Sequence, residues 1–193
     1  MANAPKILAF AGSLRAQSWN KKLVKIAAAG AKAAGVECTY IDLRDYALPI
    51  FDEDLEKQDG LPANGRKLKD LMLAHQGLLI AAPEYNSGIT AVLKNTIDWI
   101  SRPSPGEAPL QCYTGKVAVL MAASPGALGG LRGLVGVRSI LGNIQVTVLP
   151  DQIAIGKAHE AFSEDGQLKD PAQKASVEKL GATLANTLKK LHA

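Results

Sequence analysis

The chain alternates short apolar runs with longer segments in which apolar residues recur every three or four positions. The runs are typical of buried β-strands, and the recurrence is typical of amphipathic helices. The apolar runs predict strands over residues 6–11, 36–41, 77–82, 116–122 and 145–149. The periodic segments predict helices over residues 20–34, 62–75, 90–101, 131–142 and 171–191. Two long stretches rich in Pro, Gly and acidic residues, 43–61 and 102–115, are expected to be irregular.

This alternation of strands and helices predicts an α/β fold in which a parallel sheet carries helices on both faces. The first, third and fourth strands are almost continuously apolar, as expected where a strand is covered on both sides. A doubly wound sheet of five parallel strands in the flavodoxin-like order 2-1-3-4-5 fits this pattern. The length of 193 residues suits a single domain over 1–193.

The predicted strand order brings three loops together at the carboxyl edge of the sheet. Strands 1, 3 and 4 are neighbours, so the loops after Gly12, Ala82 and Ala123 lie side by side. They span about 10 Å, which is close to the length of a flavin ring system. Because ligands of open α/β sheets bind at this edge, we expect one ligand site built from the three loops.

The first of these loops, residues 12–20, has the composition of a phosphate-binding site. It leads into the first predicted helix, whose free N–H groups and positive dipole end attract anions. Ser13, Ser18 and Asn20 can donate hydrogen bonds, and Arg15 adds a planar charge that suits phosphate oxygens. The loop has one leading glycine and no Gly-Lys-Ser/Thr, so it is neither a dinucleotide fingerprint nor a Walker A loop. A terminal monophosphate such as that of FMN fits it better.

The other two loops carry turn residues and small residues. In the second loop, 83–88, Asn86 and Gly88 permit a positive φ, so backbone N–H groups can line a ligand, and Tyr85 can lie against a ring. The third loop, 124–130, is rich in glycine, and its small residues allow a planar ring to approach the backbone. Each loop alone is also typical of an ordinary turn or helix start. Beside the first loop, they favour a ligand site.

Composition narrows the possible partners. The formal net charge is +4 at pH 7, but the basic residues are scattered and aromatic residues make up only 5%, so we predict no nucleic-acid partner. The apolar region 117–137 is interrupted by Ser124-Pro125-Gly126 and by Arg132, so no transmembrane helix is expected. Cys38 and Cys112 lack a metal or redox spacing and fit the free thiols of a cytoplasmic protein.

The histidines offer no pattern of a catalytic or metal-binding site. His75, His159 and His192 are far apart along the chain, with no Ser-His-Asp or metal-ligand spacing. We therefore predict no metal and no catalytic side chain. An enzyme with this sequence is expected to take its chemistry from a cofactor.

Four motifs follow one another along the chain: Gly-Ser-Leu-Arg-x-x-Ser-x-Asn at 12–20, Pro-Glu-Tyr-Asn at 83–86, Lys-Asn-x-x-Asp-Trp at 94–99 and Gly-Gly at 129–130. In this order and spacing they resemble the NADPH-dependent FMN reductase family, the flavodoxin-like quinone, chromate and azo reductases. The resemblance covers about residues 5–145. From the residues alone, we expect the helix that carries the 94–99 motif to be structural.

The resemblance implies a non-covalently bound FMN and a ping-pong mechanism. NADPH or NADH would reduce the flavin by hydride transfer, and a small acceptor such as a quinone, chromate, an azo compound or free flavin would then take the electrons. The resemblance implies that the phosphate is held by Ser13, Arg15, Ser18 and Asn20. It implies that the ring is contacted by Pro83, Glu84, Tyr85 and Asn86. The predicted cofactor-binding set also includes Leu14, Gln17, Trp19, Ser124 and Gly126.

Two further features follow from the same resemblance. Where close relatives have a small hydroxyl residue before Ser124, this chain has Ala123, which removes a possible ring contact. The family's usual assembly implies a homodimer or homotetramer.

Two other functions are compatible with the same fold. A non-enzymatic electron carrier of the flavodoxin type would resemble acidic proteins whose phosphate loop lacks arginine, whereas this chain is basic and has Arg15. A flavin-binding sensor remains open because a fold alone does not fix a function.

Overall fold

The computed structural model describes residues 4–193 and contains a five-stranded sheet. Its strands are β1 Lys6–Ala11, β2 Glu37–Tyr40, β3 Gly77–Ala81, β6 Val117–Ala123 and β7 Thr147–Ile155. A separate antiparallel hairpin is formed by β4 Glu84–Tyr85 and β5 Gly88–Ile89. The sheet order is β2-β1-β3-β6-β7 with every pair parallel, which confirms the predicted order 2-1-3-4-5.

Helices cover both faces of this sheet. They are α1 Trp19–Ala33, α2 Glu53–Asp59, α3 Ala63–Ala74, α4 Ala91–Ser101, α5 Leu131–Asn143, α6 Ala158–Ala161 and α7 Pro171–Leu191. Alternate residues of β1 point to opposite sides: Ile7 and Ala9 join the apolar cluster under α1 and α7, while Leu8 and Phe10 join the cluster under α3, α4 and α5. Burial on both sides explains why the central strands are continuously apolar.

The edge strand β7 is longer than the sequence predicted. It was expected to end at 149 and continues to Ile155 through Pro150. Its pairing with β6 jumps from Ala118↔Val148 to Leu120↔Gln152, so extra residues of β7 bulge out of the ladder. Proline is tolerated because the strand lies at an edge. The Arg138 side chain donates to the carbonyls of Val148 and Leu149, at 3.2 and 2.9 Å.

The stretch 43–61, expected to be irregular, contains a 3-10 helix over Leu43–Tyr46 and the helix α2. Each begins with an aspartate, Asp42 or Asp52, whose side chain accepts a backbone N–H of the first turn. The prediction was therefore wrong here, because α2 buries none of its residues and leaves no apolar period in the sequence.

The stretch 102–115 is irregular as predicted, yet it is fixed to α3 by buried charge. The Lys69 side chain is 1% exposed, donates to the Arg102 carbonyl at 2.6 Å and forms an ion pair with Glu107. Arg66 binds the other carboxylate oxygen of Glu107 at 2.5 Å. Hydrogen bonds from Arg66 and Lys69 lower the pKa of Glu107 to about 2.

Both cysteines are free and buried within the fold. Cys38 lies on β2 and Cys112 lies in the 102–115 stretch. Burial raises the pKa of the Cys38 thiol to about 11, and it also raises the pKa of Cys112. Both side chains are therefore neutral thiols near pH 7.

Helices α1 and α7 pack so closely that their backbones touch. A Cβ added at Gly30 of α1 would lie 2.0 Å from the carbonyl oxygen of Glu178, and one added at Gly181 of α7 would lie 1.8 Å from that of Ala27. Backbone atoms cannot move aside as a flexible side chain can. Glycine at these two positions therefore sets the distance between the helices.

We expect Gly30→Ala to lower the free energy of unfolding by about 1–3 kcal/mol or more, because the added methyl forces the helices apart. The matched control is Gly136→Ala on α5, where the added Cβ meets no described atom within 4 Å apart from its neighbours in the chain and the adjacent backbone of its own helix. That substitution should raise stability by about 0.5–1 kcal/mol through helix propensity. Urea unfolding measures both, and equal stabilities of the two variants would contradict the packing argument.

Candidate functional site

The three predicted loops meet in one cleft at the carboxyl edge of the sheet. The cleft has a volume of about 60 Å³ and opens to solvent. Its lining comes from all three loops: Ser13, Arg15, Ser18, Trp19, Asn20, Pro83, Glu84, Tyr85, Ala123, Ser124 and Pro125. The sequence had named all of these as site residues except Ala123 and Pro125, which flank Ser124.

Four residues of the predicted set do not line this cleft. Leu14 lines a separate groove beside α4, and Gln17 lines a third one beside the lysines of α1. Asn86 lies exposed at the tip of the hairpin, and Gly126 lies exposed on the third loop. Spacing in the sequence could not distinguish them, because successive residues of an irregular loop point in different directions.

The first loop presents hydrogen-bond donors that the rest of the chain leaves unused. Ser18 occupies the N-cap position of α1 without making a side-chain cap bond, and the first turn of α1 contains no acidic residue. The first N–H groups of the helix therefore retain their positive character. The exposed Arg15 guanidinium lies 5.2 Å from the centre of the Trp19 ring. Within residues 4–193 Arg15 forms no salt bridge.

Asn20 has a different role from its neighbours. Its side chain is 4% exposed, and its Nδ2 donates to the Ala123 carbonyl at 2.8 Å. Its Oδ1 accepts the Ala123 N–H at 3.0 Å. The amide therefore joins the start of α1 to the end of β6, and no feature of the sequence indicates this contact between residues 103 positions apart.

The second loop is a β-hairpin, which the sequence did not predict. Asn86 and Ser87 form its two-residue turn with φ of 52° and 65°. Positive φ at both central residues suits the twist of a tight hairpin. The expectation for Asn86 is confirmed, while that for Gly88 is wrong, since Ser87 takes the second left-handed position. The hairpin leaves Tyr85 57% exposed.

Glu84 lines the cleft, but its carboxylate is bonded to α5. Oε2 accepts the N–H of Gly133 at 3.0 Å, and Oε1 accepts from Nη2 of Arg132 at 2.8 Å. Burial tends to raise the pKa of Glu84, but the bonds from Gly133 and Arg132 outweigh it and lower that pKa. The carboxylate is therefore charged at neutral pH and already paired.

The glycines of the third loop allow a close approach, though to the chain itself. Gly129 and Gly130 have φ of 64° and 93°. A Cβ added at Gly129 would lie 2.6 Å from the carbonyl carbon of Ile155 in β7. The small size of Gly129 therefore lets the loop pack against β7. It does not leave an open backbone surface at this position for a planar ring.

The 94–99 motif is structural, as expected. Trp99 is fully buried, and its Nε1 donates to the Pro49 carbonyl at 2.8 Å. Asn95 donates to the same carbonyl at 2.8 Å and accepts the N–H of Phe51 at 2.8 Å. These bonds fix the backbone on both sides of Ile50, whose side chain is 79% exposed.

The cleft as a whole suits a phosphorylated ligand with a planar ring. A helix N-terminus, Ser18 and Arg15 are donors for an anion, and Tyr85 offers an aromatic surface at the rim. Among residues 4–193 there is no group of three His, Cys, Asp or Glu side chains placed to hold a metal. No helix of the described chain is both long and apolar enough to cross a membrane.

We expect Asn20→Ala and Ser18→Ala to distinguish a residue that stabilises the fold from one whose side chain is left free for a ligand. Asn20→Ala leaves the buried N–H and C=O of Ala123 unpaired and should lower the free energy of unfolding by about 2 kcal/mol. Ser18→Ala removes a hydroxyl that makes no hydrogen bond in the described chain. It should change the free energy of unfolding by about 0.5 kcal/mol or less. Urea unfolding of the ligand-free proteins measures both. Equal losses of unfolding free energy in the two variants would show that the Asn20 side chain does not stabilise the fold.

Proteins of known identity resemble this chain over most of its length. The profile of the family described as NADPH-dependent FMN reductase matches residues 5–160. An NAD(P)H-dependent FMN reductase from Pseudomonas aeruginosa is 34% identical over 172 residues, covering 88% of this chain and 88% of that protein. A quinone reductase from Escherichia coli is 32% identical over 145 residues, covering 73% of this chain and 71% of that protein.

Among solved structures, the flavoenzyme FerB from Paracoccus denitrificans, an NAD(P)H:(acceptor) oxidoreductase, gives a TM-score of 0.80 at 26% identity. The match covers 97% of this chain and 98% of that chain. The resemblance seen in the motifs is confirmed, as are the predictions of an oxidoreductase, of FMN as its flavin and of NAD(P)H as its reductant. This chain belongs to the NADPH-dependent FMN reductase family.

Proposed function

We propose that this protein is an FMN-dependent NAD(P)H oxidoreductase that passes electrons to quinones or similar small acceptors, with chromate, azo compounds and free flavin as further candidates. One observation carries the proposal. The start of α1 lies in the same cleft as Tyr85 of the hairpin. This helix start is uncapped, and beside it are the free Ser18 hydroxyl and the exposed Arg15. The names of the quinone reductase relatives and of FerB support the class of acceptor.

The residues of the cleft divide into two groups in this proposal. The phosphate of FMN would be held by Ser13, Arg15 and Ser18 together with the first N–H groups of α1. Asn20 would contribute by bracing that loop. Pro83 and Tyr85, which line the cleft, would border the ring, and Asn86 would approach it from the tip of the hairpin. Glu84 would contribute only through its backbone because its carboxylate is bonded to α5.

Bound FMN would supply the two-electron chemistry between NAD(P)H and an acceptor. The residues of the cleft would bind the cofactor and orient it. Among the described residues that line the cleft, Glu84 carries the sole carboxylate, and it is already paired. No free carboxylate from these residues is therefore available as a general acid or base, so the redox chemistry would rest on the bound FMN. The ping-pong order, in which NAD(P)H leaves before the acceptor binds, is proposed from the resemblance to the family.

We also propose a cytoplasmic homodimer or homotetramer. The support for assembly is the set of exposed apolar side chains on rigid elements. Ile50 is held on both sides by Asn95 and Trp99, and Leu131 and Val135 lie one turn apart on α5. The backbone that carries these side chains is already ordered, so a second copy that covers them gains the burial of apolar area without having to order the chain first.

The proposed function is tested by the colour of the protein. The purified protein should be yellow, NADPH should bleach it without oxygen, and 1,4-benzoquinone should restore the colour over many cycles. Initial rates should be measured over a range of NADPH concentrations at several fixed quinone concentrations. The double-reciprocal lines against NADPH should then be parallel. A protein that NADPH does not bleach would be an electron carrier, and one that bleaches without turning over quinone would be a sensor. Failure to bind added FMN would contradict all three functions.

Arg15→Ala should weaken FMN binding by about tenfold or more, because a charge-assisted hydrogen bond contributes about 1.5–3 kcal/mol. The fold should be unchanged, since Arg15 is exposed and forms no salt bridge within residues 4–193. The control is Arg44→Ala, which removes an exposed arginine from the neighbouring groove lined by Leu14. Recovery of FMN fluorescence on dilution measures the dissociation. The same dissociation constant in both variants would rule out Arg15 as a phosphate ligand.

A further inference from the structure

Helix α5 begins at the cleft without a cap of its own. Its N-cap residue is Gly130, which has φ of 93° and makes no side-chain cap bond, and its first turn contains no acidic residue. Gly130 and Gly133 are both buried. The first N–H groups of a helix have no partner within the helix, so a buried start needs an acceptor from elsewhere.

Glu84 supplies that acceptor from the hairpin. Gly133 is the third residue of α5, the position whose N–H an N-cap side chain normally accepts. Its N–H reaches Oε2 of Glu84 at 3.0 Å, and the negative charge meets the positive end of the helix dipole. Arg132 adds bonds to Oε1 from Nε at 3.1 Å and from Nη2 at 2.8 Å. The Glu84 side chain is 9% exposed and that of Arg132 is 60% exposed.

The glycines of α5 make this contact possible. A Cβ added at Gly133 would lie 3.2 Å from the Cβ of Glu84, and one added at Gly130 would lie 2.9 Å from the Cβ of Ala122. The first turn of α5 therefore rests directly on β4 and on the end of β6. Any larger side chain at these positions would push the helix away from the carboxylate that caps it.

The hairpin depends on this support. Its strands β4 and β5 have two residues each and, within residues 4–193, pair only with one another. A two-stranded hairpin is marginal at best without packing from another element. Thr90, directly after β5, donates to the Gly12 carbonyl at 2.8 Å and so holds the strand that leaves the hairpin. Glu84 pairs with Ile89 at this same open end, and its side chain holds the strand that carries Tyr85 against α5.

We propose that Glu84 is a positioning residue, which caps α5 from the neighbouring hairpin and thereby holds Tyr85 at the rim of the cleft. Its carboxylate acts on helix α5 and not on the ligand. The catalytic part of this inference rests on the proposed function, because Tyr85 borders the flavin only there. The capping part concerns the chain itself and stands without any ligand.

The capping part is tested by hydrogen exchange on the full chain without flavin. Glu84→Ala removes the acceptor, and the amides of 84–89 and 131–134 should exchange roughly tenfold faster. Glu84→Gln keeps a side-chain oxygen that can accept from Gly133 and should restore exchange to within about twofold of the wild type. Arg132→Ala removes the ion pair but leaves the cap, and it should also stay within about twofold. Wild-type exchange in Glu84→Ala, or equally fast exchange in Glu84→Gln, would overturn the cap.

The positioning part is tested by turnover per bound FMN with NADPH and 1,4-benzoquinone. Glu84→Ala should lower kcat about tenfold with the KM for NADPH nearly unchanged, because small misplacements at the reacting face are costly. Glu84→Gln should recover most of kcat. The control is Glu56→Ala, which removes an Arg–carboxylate pair with Arg102 remote from the hairpin and should leave kcat unchanged.

A hairpin that exchanges faster in Glu84→Ala while kcat per flavin stays at the wild-type value would overturn the positioning role. Failure of the proposed function is a distinct result, since the wild type itself would then not bind FMN or oxidise NADPH. The exchange measurements would remain informative in that case, because they involve no flavin.

Discussion

Two hydrogen bonds between the Asn20 side chain and the Ala123 backbone hold the cleft together. They cross the sheet edge from the first loop to the third, over the end of β3, from which the second loop starts. Parallel strands fix where loops begin but not how far apart their tips lie. A buried amide that both donates and accepts sets this distance at one point, and its two bonds are costly to leave unmade. The first helical turn that carries Asn20 is thereby fixed to the end of β6.

The polar residues of the cleft form two groups: those that bond to other parts of the chain and those that remain free to bind a ligand. Asn20 and Glu84 are nearly buried and bonded to backbone groups of other elements. Arg15 and Ser18 are not engaged in such bonds within the described chain. In the sequence all four are simply polar residues in loops of a shared family pattern. Their separate roles come from contacts between residues that are distant along the chain.

The fold was largely predictable because its central strands are buried on both faces. Burial leaves a continuous apolar run, and β1, β3 and β6 were found within one residue of their ends. Where burial does not dictate the sequence, prediction failed. The surface helix α2 has no apolar face, and β7 continues past a proline because it lies at the edge of the sheet. The site was predicted as a set of loops, since topology places them together. The direction of each side chain was not predicted, since Leu14 and Gln17 line other grooves.

The burial of Cys38 and Cys112 has a consequence for the chemistry proposed at the cleft. Quinones are electrophiles to which cysteine thiols add, and the reactive form of cysteine is the thiolate. Burial raises the pKa of both thiols and keeps them from solvent, so neither is ionised nor accessible near neutral pH. A protein that meets reactive acceptors at every turnover would then contain no side chain of this kind for them to alkylate. Its fold would protect it from its own substrates.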